Sequence, residues 1–440
     1  MSTGKSEPTL ESGTEKPNII FILTDDLGYR DLGCYGQENI VTPNIDSLAA
    51  NGMRFTDCYS GSAVCAPSRS VLMTGQHTGH TTVRGNFAKK GGILVLDNGS
   101  PQRRAGLKEE DTTVAQLLKE SGYHTGITGK WGIAEPDTAG VPNRKGFDEW
   151  FGYLNQRRAH TYYPPYLWRN GEKVVYEENE GEARGRYSHD MFTEYALDFI
   201  ERRANGPFFL YLPYTVPHGK FEVPDLGDYA DKPWPENAKA FAAMVSRLDR
   251  DVGSIMSLLR EKGISRNTVT FFCSDNGASS NWDGIFDSLG PFRGRKGDLY
   301  EGGIRVPMIA HWPGHIPKGV SDAPWYFADF LPTAASISGT EPAGGVDGAN
   351  VLPALLGEEQ DLGERPLYWE FYSGGFQQAV RLGDWKGVSP GMGEPFELYY
   401  LPDDVGESDN VAEEHPELVE TIRGIMQREH TPSENWPVGE

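Results

Sequence analysis

Continuous, mainly apolar runs occur at three places in the chain, at residues 18–24, 208–214 and 268–274. Runs of this kind are typical of strands that are buried on both faces, as in a parallel sheet covered by helices. Stretches with helical periodicity lie among them, at residues 112–121, 188–203 and 236–261. The alternation of the two patterns predicts an α/β fold.

The last fifth of the chain has a different pattern. Shorter stretches predict strands at residues 367–372, 378–382 and 397–401. They are followed by a predicted terminal helix at 416–428. We therefore expect an α/β domain over 17–362 and a small antiparallel-sheet plus helix domain over 363–440.

The composition is that of a globular protein, with 38% hydrophobic and 11% aromatic residues. A formal net charge of −22 argues against nucleic acid or an anionic membrane as a partner, because their phosphates would be repelled. It does not exclude an anionic substrate, since a local pocket of cations or a metal can reverse the field. No apolar run approaches the length of a transmembrane helix, and we expect no membrane partner.

Residues 1–16 are polar, and we expect them to be disordered. They lack the apolar centre of a signal peptide, so the sequence leaves open a cytoplasmic protein or an exported one whose leader has been removed. The cysteines show no C-x-x-C spacing, which argues against a zinc site or a disulfide framework. They are Cys34, Cys58, Cys65 and Cys273.

Polar side chains follow two of the predicted buried strands. Asp25 and Asp26 come directly after the first apolar run, and Asp275 and Asn276 follow the third. In open α/β sheets, binding sites lie at the carboxyl ends of the strands. An isolated Asp-Asp pair is more often a solvated loop, but two such pairs together supply the oxygen ligands that Ca²⁺ prefers.

The stretch 65–75, C-A-P-S-R-S-V-L-M-T-G, predicts a helix with Pro67 in its first turn and a stop at Gly75. Cys65 lies at its start, where backbone N–H groups and the helix dipole favour an anion. Arg69 lies one turn on and points back towards the same place. A cysteine in this position is also commonly buried and inert, so the local pattern leaves both interpretations open.

The pattern C-x-P-S-R followed by T-G resembles the signature of type I sulfatases, in the alkaline phosphatase superfamily. Other segments resemble the same family in the same order: D-D-L-G-Y-R-D-L-G at 25–33, G-K-W at 129–131, P-H at 217–218, and G-R-K with E-G-G-I-R-V-P at 294–307. The resemblance spans about residue 17 to the C terminus. It implies an alkaline-phosphatase-like mixed sheet sandwiched by helices, with a smaller C-terminal α+β domain.

The resemblance also implies roles for the matching residues. Cys65 would be converted to formylglycine by a formylglycine-generating or equivalent maturing enzyme, and the hydrated aldehyde would attack a sulfate ester. Modified Cys65 would bind Ca²⁺ together with Asp25, Asp26, Asp275 and Asn276. His218 would protonate the leaving alcohol. The sulfate charge would be neutralised by Arg69, Lys130 and Lys296.

An Arg-rich, aromatic stretch at 156–166 favours a sulfated carbohydrate as the substrate. We expect Arg157, Arg158 and His160 to bind the saccharide, although solvated arginines among packed tyrosines explain the pattern equally well. The family resemblance implies a periplasmic or secreted location. One departure stands out, because Gly132 replaces the histidine of the family's G-K-W-H segment. We expect slow turnover or a substitute base, with His160 as the candidate for that base or for a grip on the sugar.

Two other functions fit parts of the pattern. A phosphate or phosphonate ester hydrolase would share the metal pocket, but its nucleophile would usually be Ser or Thr, which C-x-P-S-R disfavours. An inactive protein that binds sulfated glycans would explain Gly132, but the retention of the anion and metal ligands argues against it. Comparing turnover of aryl sulfate with turnover of aryl phosphate would distinguish a sulfatase from a phosphate ester hydrolase. Binding of a sulfated glycan without sulfate release would identify the inactive binding protein.

Overall fold

The structure is a computed structural model that describes residues 16–97, 100–156, 158–342, 344–362 and 364–439. Its strands are β1 (Asn18–Thr24), β2 (Met53–Phe55), β3 (Cys58–Tyr59), β4 (Ile93–Asp97), β5 (Ser100–Arg104), β6 (His124–Lys130), β7 (Glu149–Tyr153), β8 (Tyr166–Arg169), β9 (Glu172–Val175), β10 (Phe208–Pro213), β11 (Thr268–Ser274), β12 (Met308–His311), β13 (Gly319–Ser321), β14 (Trp325–Tyr326), β15 (Pro366–Phe371), β16 (Gln377–Leu382), β17 (Trp385–Ser389) and β18 (Glu397–Tyr400). Its helices are α1 (Pro43–Ala50), α2 (Cys65–Thr74), α3 (Val114–Glu120), α4 (Ser188–Arg203), α5 (Glu236–Glu261), α6 (Glu301–Ile304), α7 (Phe330–Ser338), α8 (Leu352–Leu355) and α9 (Pro416–Glu429).

A ten-stranded mixed sheet forms the centre of the molecule, in the order β13-β2-β12-β11-β1-β10-β6-β7-β8-β9. The central strands β11, β1, β10, β6 and β7 run parallel to one another. Antiparallel neighbours flank them, with β12 beside β11 and β8 beside β7. The carboxyl ends of the five parallel strands therefore lie at one edge of the sheet.

Helices cover both faces of this sheet, which is why β1 is apolar along its length. Ile19, Phe21 and Leu23 pack in one core with α2, α3 and α7. Ile20 and Ile22 face the opposite core, which contains α1, α4 and α5. The α/β class and the sandwich of helices around a mixed sheet are thus confirmed.

The C-terminal strands β15, β16, β17 and β18 form a separate antiparallel sheet. One face joins the main core through Leu367 and Trp369. The other face packs against α9, where Tyr368 and Val380 share a smaller core with Ile422. The smaller C-terminal α+β unit agrees with the expected fold, and its boundary near residue 363 stays a prediction.

Some expected features lie outside the described residues. Apart from residue 16, the predicted disordered segment falls outside the described ranges, as does Arg157. No helix within the described ranges combines the length and apolarity needed to cross a membrane.

Candidate active site

The sheet brings the two predicted pairs of oxygen ligands together. Strands β1 and β11 are parallel neighbours with Thr24 opposite Ser274, so both pairs leave the sheet side by side. The Asp275 backbone N–H donates to the Thr24 carbonyl at 3.0 Å. The Asp26 backbone N–H in turn donates to Asp275 Oδ1 at 3.3 Å. Backbone pairing thus fixes the spacing of the ligands, which are buried.

Helix α2 begins at this edge of the sheet with Cys65. The Cys65 thiol is 3.3 Å from Asp25 Oδ1, and the ammonium of Lys296 is 3.5 Å from the same sulfur. Burial and the negative charge of Asp25 raise the pKa of Cys65 to about 12. The unmodified side chain is therefore a neutral thiol at physiological pH, which makes it a weak nucleophile and a weak metal ligand.

Arg69 reaches back one turn along α2, as the sequence predicts. Its Nε and Nη2 donate to Asp275 Oδ2 at 3.0 and 2.7 Å, and its Nη1 donates to the Lys130 carbonyl at 2.7 Å. The side chain is completely buried. Burial opposes the charged form, but the charges of Asp275 and Asp25 together with smaller contributions outweigh it and raise the pKa of Arg69, so the guanidinium is a permanent cation in the pocket.

Two lysines complete the positive charge of the site. Lys130, the last residue of β6, donates to Asp25 Oδ2 at 2.5 Å. Lys296 donates to both carboxylate oxygens of Asp26, at 2.6 and 2.8 Å. Burial alone would raise the pKa of Asp25, but Lys130 and the other nearby cations hold it well below its ordinary value. Asp25 is therefore an anion in the folded protein.

The oxygen ligands fit a hard divalent cation. Asn276 donates its amide N–H to Asp26 Oδ1 at 2.8 Å, but its own Oδ1 is buried and accepts no hydrogen bond from any described residue. Burial and the charge of Asp25 raise the pKa of Asp275 to about 7, although Arg69 and Lys130 oppose the rise. Three carboxylates and an unpaired amide oxygen in one pocket suit Ca²⁺.

His218 lies after β10, close to the same carboxylates. Its Nδ1 donates to the Gly219 carbonyl at 2.9 Å, and its Nε2 is 3.5 Å from Asp26 Oδ2. Burial lowers the pKa of His218, despite the opposing charge of Asp26. Ligand atoms of Asp25, Asp26, Cys65 and His218 all lie within 4.8 Å of one another. The ring is thus oriented with Nε2 towards the site.

His160 also belongs to this site. Its ring stacks on the His218 ring, with centroids 3.9 Å apart and an interplanar angle of 11°. Burial, with the charge of Lys130, lowers the pKa of His160 to about 2, so the ring is neutral. A side chain with so low a pKa is a poor proton acceptor, which argues against His160 as the substitute base.

Arg158, one of the two predicted arginines beside His160, does not join the cluster. Arg158 is exposed, and its guanidinium lies 4.2 Å from the centroid of the Tyr166 ring. Arg157 is outside the described residues. Sequence reasoning missed Gln156, which is buried beside Gly132. The sequence offers one signal for Gln156, which is its place at the start of the stretch 156–166 that is predicted to bind the saccharide.

Comparison with known proteins shows which family this chain resembles. Residues 17–340 match the family model described as Sulfatase. N-acetylgalactosamine-6-sulfatase of Canis lupus familiaris is 36% identical over 396 residues, which cover 84% of this chain and 71% of that protein. Arylsulfatase A of Homo sapiens is 32% identical over 458 residues, which cover 93% of this chain and 87% of that protein.

Solved structures show the same architecture. The crystal structure of Ps i-CgsB in complex with k-i-k-neocarrahexaose has a TM-score of 0.83 and 30% identity, covering 97% of this chain and 95% of that one. The phosphonate monoester hydrolase of Agrobacterium radiobacter has a TM-score of 0.70 at 18% identity, covering 94% of this chain and 96% of that one. The second likeness concerns the fold alone.

Proposed function

We propose that this chain, which belongs to the sulfatase family, cleaves the sulfate ester of a saccharide through a nucleophile made from Cys65. The family and the relatives identify a sulfuric ester hydrolase. The name of one relative, an N-acetylgalactosamine-6-sulfatase, supports a sulfated carbohydrate as the substrate. One observation carries the finer proposal. Cys65 lies in a buried pocket in which two lysines and an arginine each contact one of three clustered carboxylates. Such a pocket suits a doubly charged oxyanion and a divalent cation together.

Conversion of Cys65 to formylglycine would explain why a neutral thiol occupies the start of α2. When formed, the hydrated aldehyde supplies a hydroxyl nucleophile for sulfur. Asp25 Oδ1, 3.3 Å from the present sulfur, is placed to accept a hydrogen bond from that side chain. Lys296, 3.5 Å from the sulfur, is placed to hold negative charge near it. A formylglycine-generating or equivalent enzyme is therefore a required partner.

Calcium would be held by Asp25, Asp26, Asp275 and Asn276, and it would supply positive charge for the nucleophile and the sulfate. In the structure the lysines contact the carboxylates that would hold the ion. Neutralisation of these carboxylates by a cation would free the ammonium groups of Lys130 and Lys296 for the sulfate oxygens. Arg69, held at Asp275 and at the Lys130 carbonyl, would keep its position.

His218 is the proposed general acid. The Gly219 carbonyl fixes the Nδ1–H tautomer, so Nε2 must receive a proton before it can deliver one to the leaving alcohol. Burial lowers the pKa of His218, and the neighbouring carboxylate of Asp26 opposes this effect by favouring the protonated ring. His160 stacks on this ring and would hold its orientation while lining the sugar site. Arg158 and Arg157 stay predicted saccharide contacts.

The printed names of the relatives support a sulfated sugar as the substrate. One relative is an N-acetylgalactosamine-6-sulfatase, and the Ps i-CgsB structure contains k-i-k-neocarrahexaose. The net charge of −22 disfavours nucleic acid. No observation on this chain favours phosphonate hydrolysis, because the likeness to the phosphonate hydrolase is confined to the fold.

Release of inorganic sulfate from defined sulfated saccharides tests the proposal. Protein produced with a maturing enzyme should release sulfate, and it should turn over aryl sulfate faster than aryl phosphate. The Cys65→Ala protein is the control and should be folded and inactive. Faster phosphate turnover, or saccharide binding without sulfate release, would overturn the proposal.

A further inference from the structure

Gln156 occupies the place left by the side chain that Gly132 lacks. A Cβ atom on Gly132 would lie 3.2 Å from Gln156 Nε2 and 3.4 Å from Gln156 Cδ. The same point is 3.7 Å from Cδ of Arg69, the buried cation of the site. The Gln156 carboxamide therefore lies against the wall of the anion pocket where Gly132 contributes no group.

Backbone hydrogen bonds fix this arrangement. Strands β6 and β7 continue their pairing beyond Lys130, because the Trp131 N–H donates to the Tyr153 carbonyl at 2.9 Å. The Gly132 N–H then donates to the Leu154 carbonyl at 3.1 Å. Gly132 has φ +81°, a conformation that favours glycine. A larger residue at position 132 would meet both backbone strain and the Gln156 side chain.

The Gln156 carboxamide has unused hydrogen-bonding capacity. The residue is 4% exposed, yet neither Nε2 nor Oε1 has a hydrogen-bond partner within the described part of the chain. Buried amide groups are nearly always paired, because an unpaired one loses its hydration without compensation. The neighbouring Asn155 shows the usual situation, since its Nδ2 donates to Glu135 at 2.8 Å. An unpaired amide in the wall of an anion pocket indicates a ligand contact.

We propose that Gln156 is a substrate-binding residue of the sulfate pocket, and that its Nε2–H donates to an oxygen of the bound sulfate group. The inference rests on the proposed sulfatase function. Sulfate oxygens only accept hydrogen bonds, so the amide nitrogen is the group that meets them, and Oε1 is left to accept from a hydroxyl hydrogen. A carboxamide does not titrate, so Gln156 fills the position of the absent histidine without acting as a base.

The Gln156→Met variant tests this role, because methionine keeps the length of the side chain and removes its hydrogen bonds. The unpaired amide makes no hydrogen bond within the described fold, so the melting temperature of the variant should equal or exceed that of the parent. Its kcat/KM for a sulfated saccharide should fall about 10- to 100-fold. This is at or below the loss of about 10²–10³ that follows removal of one hydrogen-bond donor to a developing negative charge. The matched control is Asn155→Ala, which perturbs the same loop without touching the amide of Gln156.

A binding measurement separates this inference from the mechanism. In a Cys65→Ala background, Gln156→Met should weaken calorimetric binding of the same sulfated saccharide about tenfold or more, while binding of the desulfated sugar is unchanged. The role of Gln156 would be overturned if Cys65→Ala bound the sulfated saccharide equally well with and without Gln156→Met. A loss of activity matched by a fall in melting temperature would also overturn it. The proposed function fails separately, if the parent protein releases no sulfate.

Discussion

A buried lysine links the C-terminal sheet to the segment that carries Lys296, and its removal should destabilise the protein strongly. Lys386 on β17 is completely buried, with its ammonium 2.9 Å from Glu301 Oε1 and 2.8 Å from Glu407 Oε1. Glu301 retains Arg305 as a second cation at 3.1 Å. Glu407 is buried with Lys386 as its ion-pair partner, and Lys386→Met would leave that charge uncompensated.

The expected loss in the free energy of unfolding follows from the burial of this ion pair. Breaking a buried ion pair by removing one partner costs about 3–5 kcal/mol, which is a large part of the about 5–15 kcal/mol that stabilises a typical domain. The control is Lys262→Met, which breaks a more exposed pair with Glu201 at 2.6 Å. Such a pair contributes about 0–1 kcal/mol.

The loss should depend on pH in a defined direction. Burial raises the pKa of Glu407 to about 7, against the attraction of Lys386, and an unfolded glutamate titrates near 4.5. The native state therefore binds more protons than the unfolded state between these values, and the contribution of Glu407 to stability falls as pH rises through them. Removing Lys386 raises this pKa further, so the variant should lose more stability at pH 8 than at pH 5.

Urea unfolding followed by tryptophan fluorescence at both pH values measures these differences. The Lys386→Met/Glu407→Gln double variant should recover part of the loss at pH 8, because it removes the unpaired charge. A loss below about 1 kcal/mol, or the same loss at pH 5 and pH 8, would refute the assignment of Lys386 as the counter-charge of Glu407.

Three further predictions concern the site. His218→Ala should lower turnover of an alkyl sulfate by about 10²–10⁴, and less for an aryl sulfate whose leaving group needs no proton; equal losses would contradict the acid role. Exhaustive chelation should remove most activity and lower the melting temperature, and adding Ca²⁺ should restore both. The Asp275→Ala variant should not recover with Ca²⁺, and full activity of the parent without metal would exclude the calcium requirement. His160→Ala should lower kcat about tenfold through loss of stacking on His218, and His160→Phe should restore it; an unchanged kcat for both would make His160 a bystander.

The main elements of the fold were accessible from the sequence because they are governed by local pattern. Strands β1 and β11 and helix α5 have the predicted bounds, since each is a long run with one clear periodicity. The local pattern over residues 325–338 also predicts one continuous helix, and this prediction is only partly right. Its first residues form β14, which pairs with β3, and α7 begins later at Phe330. Pairing with a distant strand is not encoded in local periodicity.

The site could be predicted as far as short motifs mark it. Asp25 and Asp275 follow strands and Lys130 ends one, and the topology of the sheet then brings them to one edge. Gln156 could not be assigned in this way, because its significance depends on the space beside Gly132 and on its unpaired amide. The stacking of His160 on His218 likewise joins loops that are far apart in sequence.

The state of Cys65 is the most direct test of the central claim. The protein should be produced with a formylglycine-generating enzyme, and the tryptic peptide Phe55 to Arg69 should be analysed by mass spectrometry alongside sulfate release from the same sample. The proposed function predicts the mass of an aldehyde or its hydrate at position 65, with specific activity proportional to the modified fraction. Fully active protein in which Cys65 is only the unmodified thiol would contradict it.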